Sequence, residues 1–339
     1  MALPPAPTER AERRPALSPV DGAAMSTPAS RGAESPLAPP LSVGGQTVHF
    51  GTAEDMSAIA TDAVDLVVTS PPYWEMKDYD HPDQIGRDES YDRYLSRLND
   101  VWRECGRVCT ETGILAINVG KCRRGGRLRH MAIDIASRID DDRWRLIDDI
   151  VWYVPNALPQ PSHYTDRLLD DKYENVLVFA SPDVDADDRT FNPIRVAQKY
   201  RDDEPRADKL NDDGRSLGNV WKVRAYRPPT IRDRAYHIAA FPEELVHPLV
   251  HAFSDPGDLV ADPFCGSGTT LKVARHMDRE GVGYELDTDL RELITARIRE
   301  HFSPPDWATL DVLSGESPER RRNTRGTTLD EFGESVTHE

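Results

Sequence analysis

Thr69-Ser70-Pro71-Pro72-Tyr73-Trp74 gathers a hydroxyl, two prolines and two aromatic rings into one short stretch. Each proline fixes its own φ, and Pro72 also pushes Pro71 towards an extended conformation. Neither proline has an N–H, so the loop presents carbonyls that nothing local can satisfy. Ser70 adds a hydroxyl that both accepts and donates, and Tyr73 adds a flat ring. Acceptors beside a stacking face suit a planar substrate that carries an exocyclic amine. The same residues also fit a plain strand-to-loop turn, so the stretch needs a second signal.

That signal lies far downstream, in Asp262-Pro263-Phe264-Cys265-Gly266-Ser267-Gly268-Thr269-Thr270. A strand, a Gly-x-Gly turn and a helix put backbone N–H groups and glycine-lined space at the end of a parallel sheet. The glycines let the chain turn sharply and let a ligand approach the backbone. A carboxylate about 20 residues on should close the next strand and bind ribose hydroxyls, and Glu285 stands there. A dinucleotide site would add a third glycine, but residue 271 is Leu. A phosphate-free nucleoside such as S-adenosylmethionine fits better than a pyrophosphate.

Both stretches follow apolar runs that read as buried strands, 64–68 and 258–262. Other strands are expected at 46–50, 113–120, 144–152, 173–179 and 281–286. Helices are expected at 90–108, capped by Ser90, and at 131–139, 242–254, 269–277 and 289–302. Residues 51–56 read as a helical turn. Cys105 and Cys109, four apart, read as core positions of the 90–108 helix region. The polar stretch 75–89 is long enough to be functional or mobile and could close over a substrate. Residues 121–130 hold Lys121, Arg123, Arg124 and Arg127 with Gly125-Gly126, and read as a flexible basic loop that contacts phosphates. Residues 1–44 lack periodicity and read as a disordered tail. Residues 183–217 are charged and aperiodic, with Arg195 and Lys199 among their basic groups. Residues 304–339 read as a loosely ordered polar tail.

The 339 residues carry a net charge of −17 and are 38% hydrophobic. No apolar run approaches the roughly 20 residues that span a bilayer, and no secretory signal is seen, so a soluble cytoplasmic protein is expected. The four cysteines show no zinc spacing and imply no disulfide framework, and no metal site is expected. A nucleic-acid binder normally shows a basic footprint, so the acidity is awkward. Acid clusters stand apart from the two stretches, and only seven of the 42 basic residues are lysine. An Asp-rich, Lys-poor surface points to a salty cytoplasm, where self-repulsion is screened.

The first stretch resembles the catalytic motif of amino-group DNA methyltransferases, in the serine form typical of N4-cytosine enzymes. The second closely resembles that family's cofactor motif. The order, catalytic motif before cofactor motif, resembles the circularly permuted β group, and the resemblance covers residues 46 to 302. It implies an α/β fold with a Rossmann-like, seven-stranded, mostly parallel sheet holding one antiparallel strand. It divides the chain into a catalytic half at 45–182, a target-recognition insertion at 183–217 and a cofactor half at 218–303.

The resemblance further implies methyl transfer from S-adenosylmethionine to cytosine N4 in double-stranded DNA, after the base is extruded. Ser70, Pro71, Pro72 and Tyr73 would be catalytic. Phe241, Asp262, Phe264, Gly266, Ser267, Gly268, Thr269 and Glu285 would bind the cofactor. Residues 154–159 with Asp166-Arg167 resemble the segment beside the target base. Relatives often carry Gly-Asp at the first strand end, but here Thr52 replaces the aspartate, leaving Glu54 or Asp55 as substitutes. A separately acting restriction endonuclease and a monomer or weak dimer are expected. N6-adenine methylation stays open, although adenine enzymes usually carry Asp or Asn where Ser70 stands. RNA as substrate, a silent DNA-binding protein and a nicotinamide dehydrogenase also remain. If the acidic surface is an adaptation to salt, stability and activity should rise between low and molar KCl in urea titrations and transfer assays. A flat or falling response removes that reading.

Overall fold

A computed structural model describes residues 38–79, 81–124, 126–139, 143–159, 167–197, 214–225 and 240–312. Its strands are the apolar runs of the sequence. β1 (Leu41–Val43) and β2 (Gln46–Phe50) form an edge hairpin, and β3 (Val64–Thr69) and β4 (Cys109–Val119) lie at the centre. β5 (Cys122–Arg124) and β6 (Arg127–Arg129) form a separate hairpin. β7 (Arg145–Tyr153) and β8 (Tyr173–Ala180) follow, then the short pair β9 (Arg195–Val196) and β10 (Arg215–Ser216). β11 (Val220–Lys222), β12 (Leu259–Asp262) and β13 (Glu280–Glu285) complete the set.

The main sheet runs β1-β2-β13-β12-β3-β4-β8-β7-β11. Every pair from β2 to β4 is parallel, and β8 runs against both β4 and β7. The expected seven-stranded sheet with one reversed strand is therefore present. β1 and β11 add one strand at each edge.

Helices cover both faces, as a parallel sheet requires. Alternate residues of β4 separate accordingly. Leu115, Ile117 and Val119 join one core with α1 (Tyr91–Val108) and α2 (Met131–Arg138), whereas Ile114 and Ala116 join another. α3 (Glu243–Phe253) and the Val273 and Ala274 side chains of α4 (Thr269–His276) cover that second face. α1 begins where expected: the Ser90 hydroxyl accepts from Arg93 N at 3.2 Å and caps it. Its Tyr94, Leu95, Leu98, Val101 and Trp102 are all buried. α5 (Arg291–Arg299) packs its Ile294 and Ile298 against β1, β2 and the glycine turn.

Several local expectations change. The ordered chain starts before residue 45, because Gly44 and Gly45, both at positive φ, fold β1 back on β2. Residues 51–56 form turns rather than helix. Cys109 opens β4 instead of lying on α1, but it and Cys105 are fully buried among apolar neighbours. The basic stretch after β4 is a hairpin, since Cys122 buries its side chain and pins the first strand. Residues 304–312 are packed: Leu310 is buried, its carbonyl accepts from Lys222 N at 2.7 Å, and Trp307 stacks on His247. Among the described residues no helix is long and apolar enough to cross a membrane.

The two sequence stretches leave the carboxyl ends of adjacent strands. β12 pairs with β3 through Val260–Leu66 and Ala261–Val67. Beyond that register the Thr69 hydroxyl donates to Asp262 Oδ1 at 2.7 Å, and Thr270 donates to the Val68 carbonyl at 3.1 Å. All three side chains are buried, so these bonds work where water cannot compete. Thr69→Val keeps the shape but strips a donor from a buried carboxylate. It should cost about 1–3 kcal/mol in urea unfolding, and an unchanged midpoint would show that the bond carries no load.

Candidate active site

A cavity of about 540 Å³ opens at the carboxyl edge of β2, β13, β12 and β3. Ser70 and Pro72 enter it from the loop after β3, and Pro263, Phe264 and Gly266 enter it from the turn after β12. Gly51, Thr52 and Ala53 close the β2 side, and Glu285 and Asp287 the β13 side. Leu290 and Leu293 form an apolar margin next to Asp289. Ser70 and Gly266 thus face one hollow although almost two hundred positions separate them in the chain.

The remaining wall is the polar stretch expected between 75 and 89. Tyr79, His81, Gln84 and Ile85 line the cavity. This segment is pinned. Arg97 on α1 ion-pairs with Glu54 at 2.6 Å and Glu89 at 2.7 Å, and donates to the Asp83 carbonyl at 3.2 Å. Gln84 bridges Lys77 and Tyr79 through its side chain. One guanidinium therefore fastens the Thr52 wall to the 79–85 wall. It also explains why Glu54 does not face the cavity, while Asp55 accepts instead from Ser57 N at 3.0 Å.

On the cofactor side, Gly266 (φ 51°) and Gly268 (φ 80°) both adopt left-handed backbone, which favours glycine. A Cβ on Gly268 would lie 3.2 Å from Ile294, so the turn is also tight against α5. The Gly266 N–H donates to Glu285 Oε2 at 2.7 Å, and Asp287 N donates to Oε1 at 2.9 Å. Burial raises the Glu285 carboxyl to about 7 despite those two donors. Burial likewise raises Asp262 to about 6, against the Thr69 bond.

Among the residues expected to bind cofactor, Phe264, Gly266 and Glu285 line the cavity. Asp262, Ser267, Gly268 and Thr269 do not. Ser267 and Thr269 are buried with their hydroxyls 3.2 Å apart, and Asp262 also accepts from Phe264 N at 3.1 Å, so these residues shape the turn. Phe241 packs against the α3 core instead of the cavity. Thr52 does line it, in place of the expected carboxylate. Asp287 was missed; its signal was a second acid two positions beyond Glu285.

The loop from Ser70 to Trp74 differs in detail from its expected form. The Pro72 carbonyl is not free: it accepts from the Tyr94 hydroxyl at 2.8 Å and from Trp74 N at 3.1 Å. Pro71 is buried, and no described residue donates to its carbonyl. Tyr73 does not line the cavity. Its hydroxyl donates to Glu174 Oε2 at 2.8 Å and accepts from Ser70 Oγ at 3.3 Å and Asn118 Nδ2 at 3.1 Å. Trp74 is buried, donates to the Glu89 carbonyl at 3.0 Å and packs edge-on to Tyr91. Glu174 and Asn118 escaped the sequence reading, although each is a polar residue set inside an apolar strand.

The basic groups are spread between exposed and engaged positions. The Lys121 side chain is only 7% exposed, ion-pairs with Asp171 at 3.1 Å and sits over the Tyr173 ring. Arg123 lies 3.8 Å from the same Asp171, and Arg124 reaches Glu75 at 2.5 Å while staying largely exposed. Arg127 is exposed on β6, and Arg195 is exposed on β9, where it donates to Ser216. Lys199 and Asp166 lie outside the described residues. Asn156 ties residues 155–157 to Ala225 by a reciprocal pair of bonds at 2.8 and 2.9 Å.

A mostly parallel sheet with one reversed strand, a glycine turn before a helix and a strand-end carboxylate define a nucleoside-cofactor α/β enzyme. Comparison with known proteins narrows the class. The N6/N4 methyltransferase family, described as DNA methylase, matches residues 64–296. The type II methyltransferase M.Cfr9I of Citrobacter freundii is 30% identical over 77% of this chain and 90% of its own length. M.XycI of Xanthomonas campestris pv. cyanopsidis is 31% identical over the same shares. The DNA modification methylase TTHA0409 of Thermus thermophilus, solved with S-adenosyl-L-methionine, is 27% identical, with a TM-score of 0.51 over 74% of this chain and 92% of that one. The cytosine-N4-specific PvuII DNA methyltransferase shares the fold, with a TM-score of 0.56 at 18% identity over 76% of this chain and 86% of that one.

The chain belongs to the N6/N4 DNA methylase family. It is an S-adenosylmethionine-dependent DNA methyltransferase, and DNA is its substrate.

The cavity suits that cofactor. Glu285 offers a half-buried acceptor for hydroxyls, Gly266 leaves backbone space, and Asp287 and Asp289 line the same cavity with carboxylates that suit a cationic ligand. The ionised form of Glu285 would be the one that accepts from a ribose. Burial raises its carboxyl to about 7, so on that reading affinity would rise with pH. Binding should tighten roughly tenfold between about pH 6 and pH 8 by linkage, read by calorimetry, and Glu285→Gln should bind weakly with a flat profile. An equal slope in the variant assigns the titration to another group.

Proposed function

We propose that this enzyme methylates N4 of cytosine within a short double-stranded recognition sequence, after the base leaves the duplex. The observation that carries the reading is Ser70 facing the same cavity as Gly266 and Glu285. S-adenosylmethionine, when bound, supplies the electrophilic methyl group. Glu285, Thr52 and the glycine turn would hold it. An exocyclic amine is a weak nucleophile because its lone pair is delocalised into the ring. Ser70 Oγ and the Pro71 carbonyl would accept its N–H groups, favour a tetrahedral nitrogen and free the lone pair for in-line attack. Placement of donor and acceptor then carries much of the rate. Base extrusion is required because the amine is otherwise paired and out of reach.

Serine at position 70 favours cytosine over adenine. N6-adenine methylation on the same loop is the second reading, since both amines present similar geometry to Ser70. Residues 183–217 would read the target, with Arg195 and Lys199 against the duplex and Arg123, Arg124 and Arg127 against phosphates. Lys121 is less suited, because Asp171 already neutralises it. The enzyme would act in the cytoplasm, apart from a separate endonuclease, as a monomer or weak dimer. The acidic surface would belong to a salt-adapted host.

Ser70→Ala should lower turnover by roughly tenfold to a thousandfold, the range for losing one positioned hydrogen-bonding group. Cofactor affinity should stay the same. Radiolabel transfer measures the first, calorimetry the second, and single-molecule sequencing of DNA from an expressing host reads base and motif together. Normal turnover in the variant removes the serine assignment, and methyl groups on adenine would establish the second reading.

A further inference from the structure

Behind the Ser70 loop lies a half-buried carboxylate that does not line the cavity. Glu174 is the second residue of β8. Its Oε2 accepts from the Tyr73 hydroxyl at 2.8 Å and from Asn118 Nδ2 at 3.0 Å. The Tyr73 oxygen accepts from Asn118 Nδ2 at 3.1 Å and from Ser70 Oγ at 3.3 Å. With Glu174 ionised, the donor directions follow from the groups themselves. An amide nitrogen only donates and a carboxylate only accepts. The single Tyr73 hydrogen must therefore go to Glu174, and the Ser70 hydrogen to Tyr73. Ser70 Oγ, which faces the cavity, keeps its lone pairs for a ligand.

We propose that Glu174 terminates a hydroxyl relay, running from Ser70 through Tyr73, that strengthens Ser70 as an acceptor and takes up the proton released by the methylated amine. The assignment rests on reading Ser70 as the acceptor for an exocyclic amine. As the nitrogen forms its bond to the methyl carbon, the carbon–sulfur bond breaks and its electron pair stays on sulfur. The cationic nitrogen gives a proton to Ser70 Oγ, Ser70 passes its own to Tyr73, and Tyr73 passes its own to Glu174. One positive charge disappears at sulfur and one negative charge at the carboxylate, so the step balances. Loss of the proton from Glu174 to solvent resets the chain.

The surroundings fit an acceptor that is empty at rest and basic enough to fill. Burial raises the Glu174 carboxyl, outweighing the lowering by Tyr73, Asn118 and the Lys121 charge. Lys121, just after β4, is the cation facing it and is itself paired with Asp171. On β7 its register partner is Trp152, and on β8 its neighbour Tyr173 lies under Lys121. Gly120 keeps the space open. A Cβ there would stand 3.3 Å from the Tyr73 ring and 3.4 Å from Glu174 Oε1.

Glu174 acts through two other side chains, so it is a positioning residue, and the test needs more than a slower enzyme. Single-turnover methyl transfer is followed across pH with cofactor and DNA saturating, which removes the Glu285 titration. The wild type should lose rate as pH falls through the Glu174 carboxyl. Glu174→Gln should be about a hundredfold slower, as for loss of a general base, and should lack that acid limb. Tyr73→Phe cuts the relay in the middle and should do the same. Both should bind cofactor with wild-type affinity. Carbon-13 NMR of the Glu174 carboxyl in the cofactor-bound protein should show its titration moving in Tyr73→Phe. A wild-type rate, or an unchanged acid limb, in Glu174→Gln overturns the relay. A wild type that labels no DNA overturns the amine reading, and the relay falls with it.

Discussion

The parallel pairing of β3 with β12, locked past its last register by Thr69 and Asp262, sets the distance between the two halves of this site. Each half alone is a common loop. Ser-Pro-Pro-Tyr is a rigid turn, and Gly-x-Gly is a helix start. Chemistry arises only because both loops leave neighbouring strands at the same edge. The bond is short and buried, so neither loop can slide without stranding a carboxylate in the core, a loss that costs more than the bond contributes. That asymmetry gives the site its rigidity.

The rest of the cavity is fastened to this seam from outside. Arg97 reaches from α1 to Glu54 and Glu89 and holds the 79–85 wall against the Thr52 wall. On the opposite side, Lys272 and Arg297 share Glu243 and Glu300, tying α3, α4 and α5 together beneath the glycine turn. Both cations are almost fully buried. Such networks make the arrangement of helices specific more than they add net stability, because desolvation offsets much of the attraction. The consequence is that two walls of the cavity, and the helices around the glycine turn, are each held by ion pairs.

The same geometry explains an acidic DNA enzyme. Much of the nearby positive charge is already committed: Lys121 to Asp171, Arg129 to the faces of Tyr91 and Trp74. On the proposed reading, phosphate attraction would be modest where the base enters. Recognition that relied on contacts to an extruded base beside Ser70 would be less sensitive to salt than recognition by phosphate alone.

What the linear chain determined was the alternation of apolar strands and amphipathic helices, the capped start of α1, the two glycine and proline loops, and Glu285 at the end of β13. These features are local, so spacing and residue type reveal them. Tertiary structure decided which members of each loop face the cavity. It turned Asp262 and Gly268 into braces, moved Phe241 into the α3 core, satisfied the Pro72 carbonyl with Tyr94, and brought Thr52 and Asp287 to the wall. It also joined Ser70, Tyr73, Asn118 and Glu174 from three segments. Hydrogen bonds between residues tens to hundreds of positions apart leave no periodic trace, because strand order, and not sequence distance, chooses their partners.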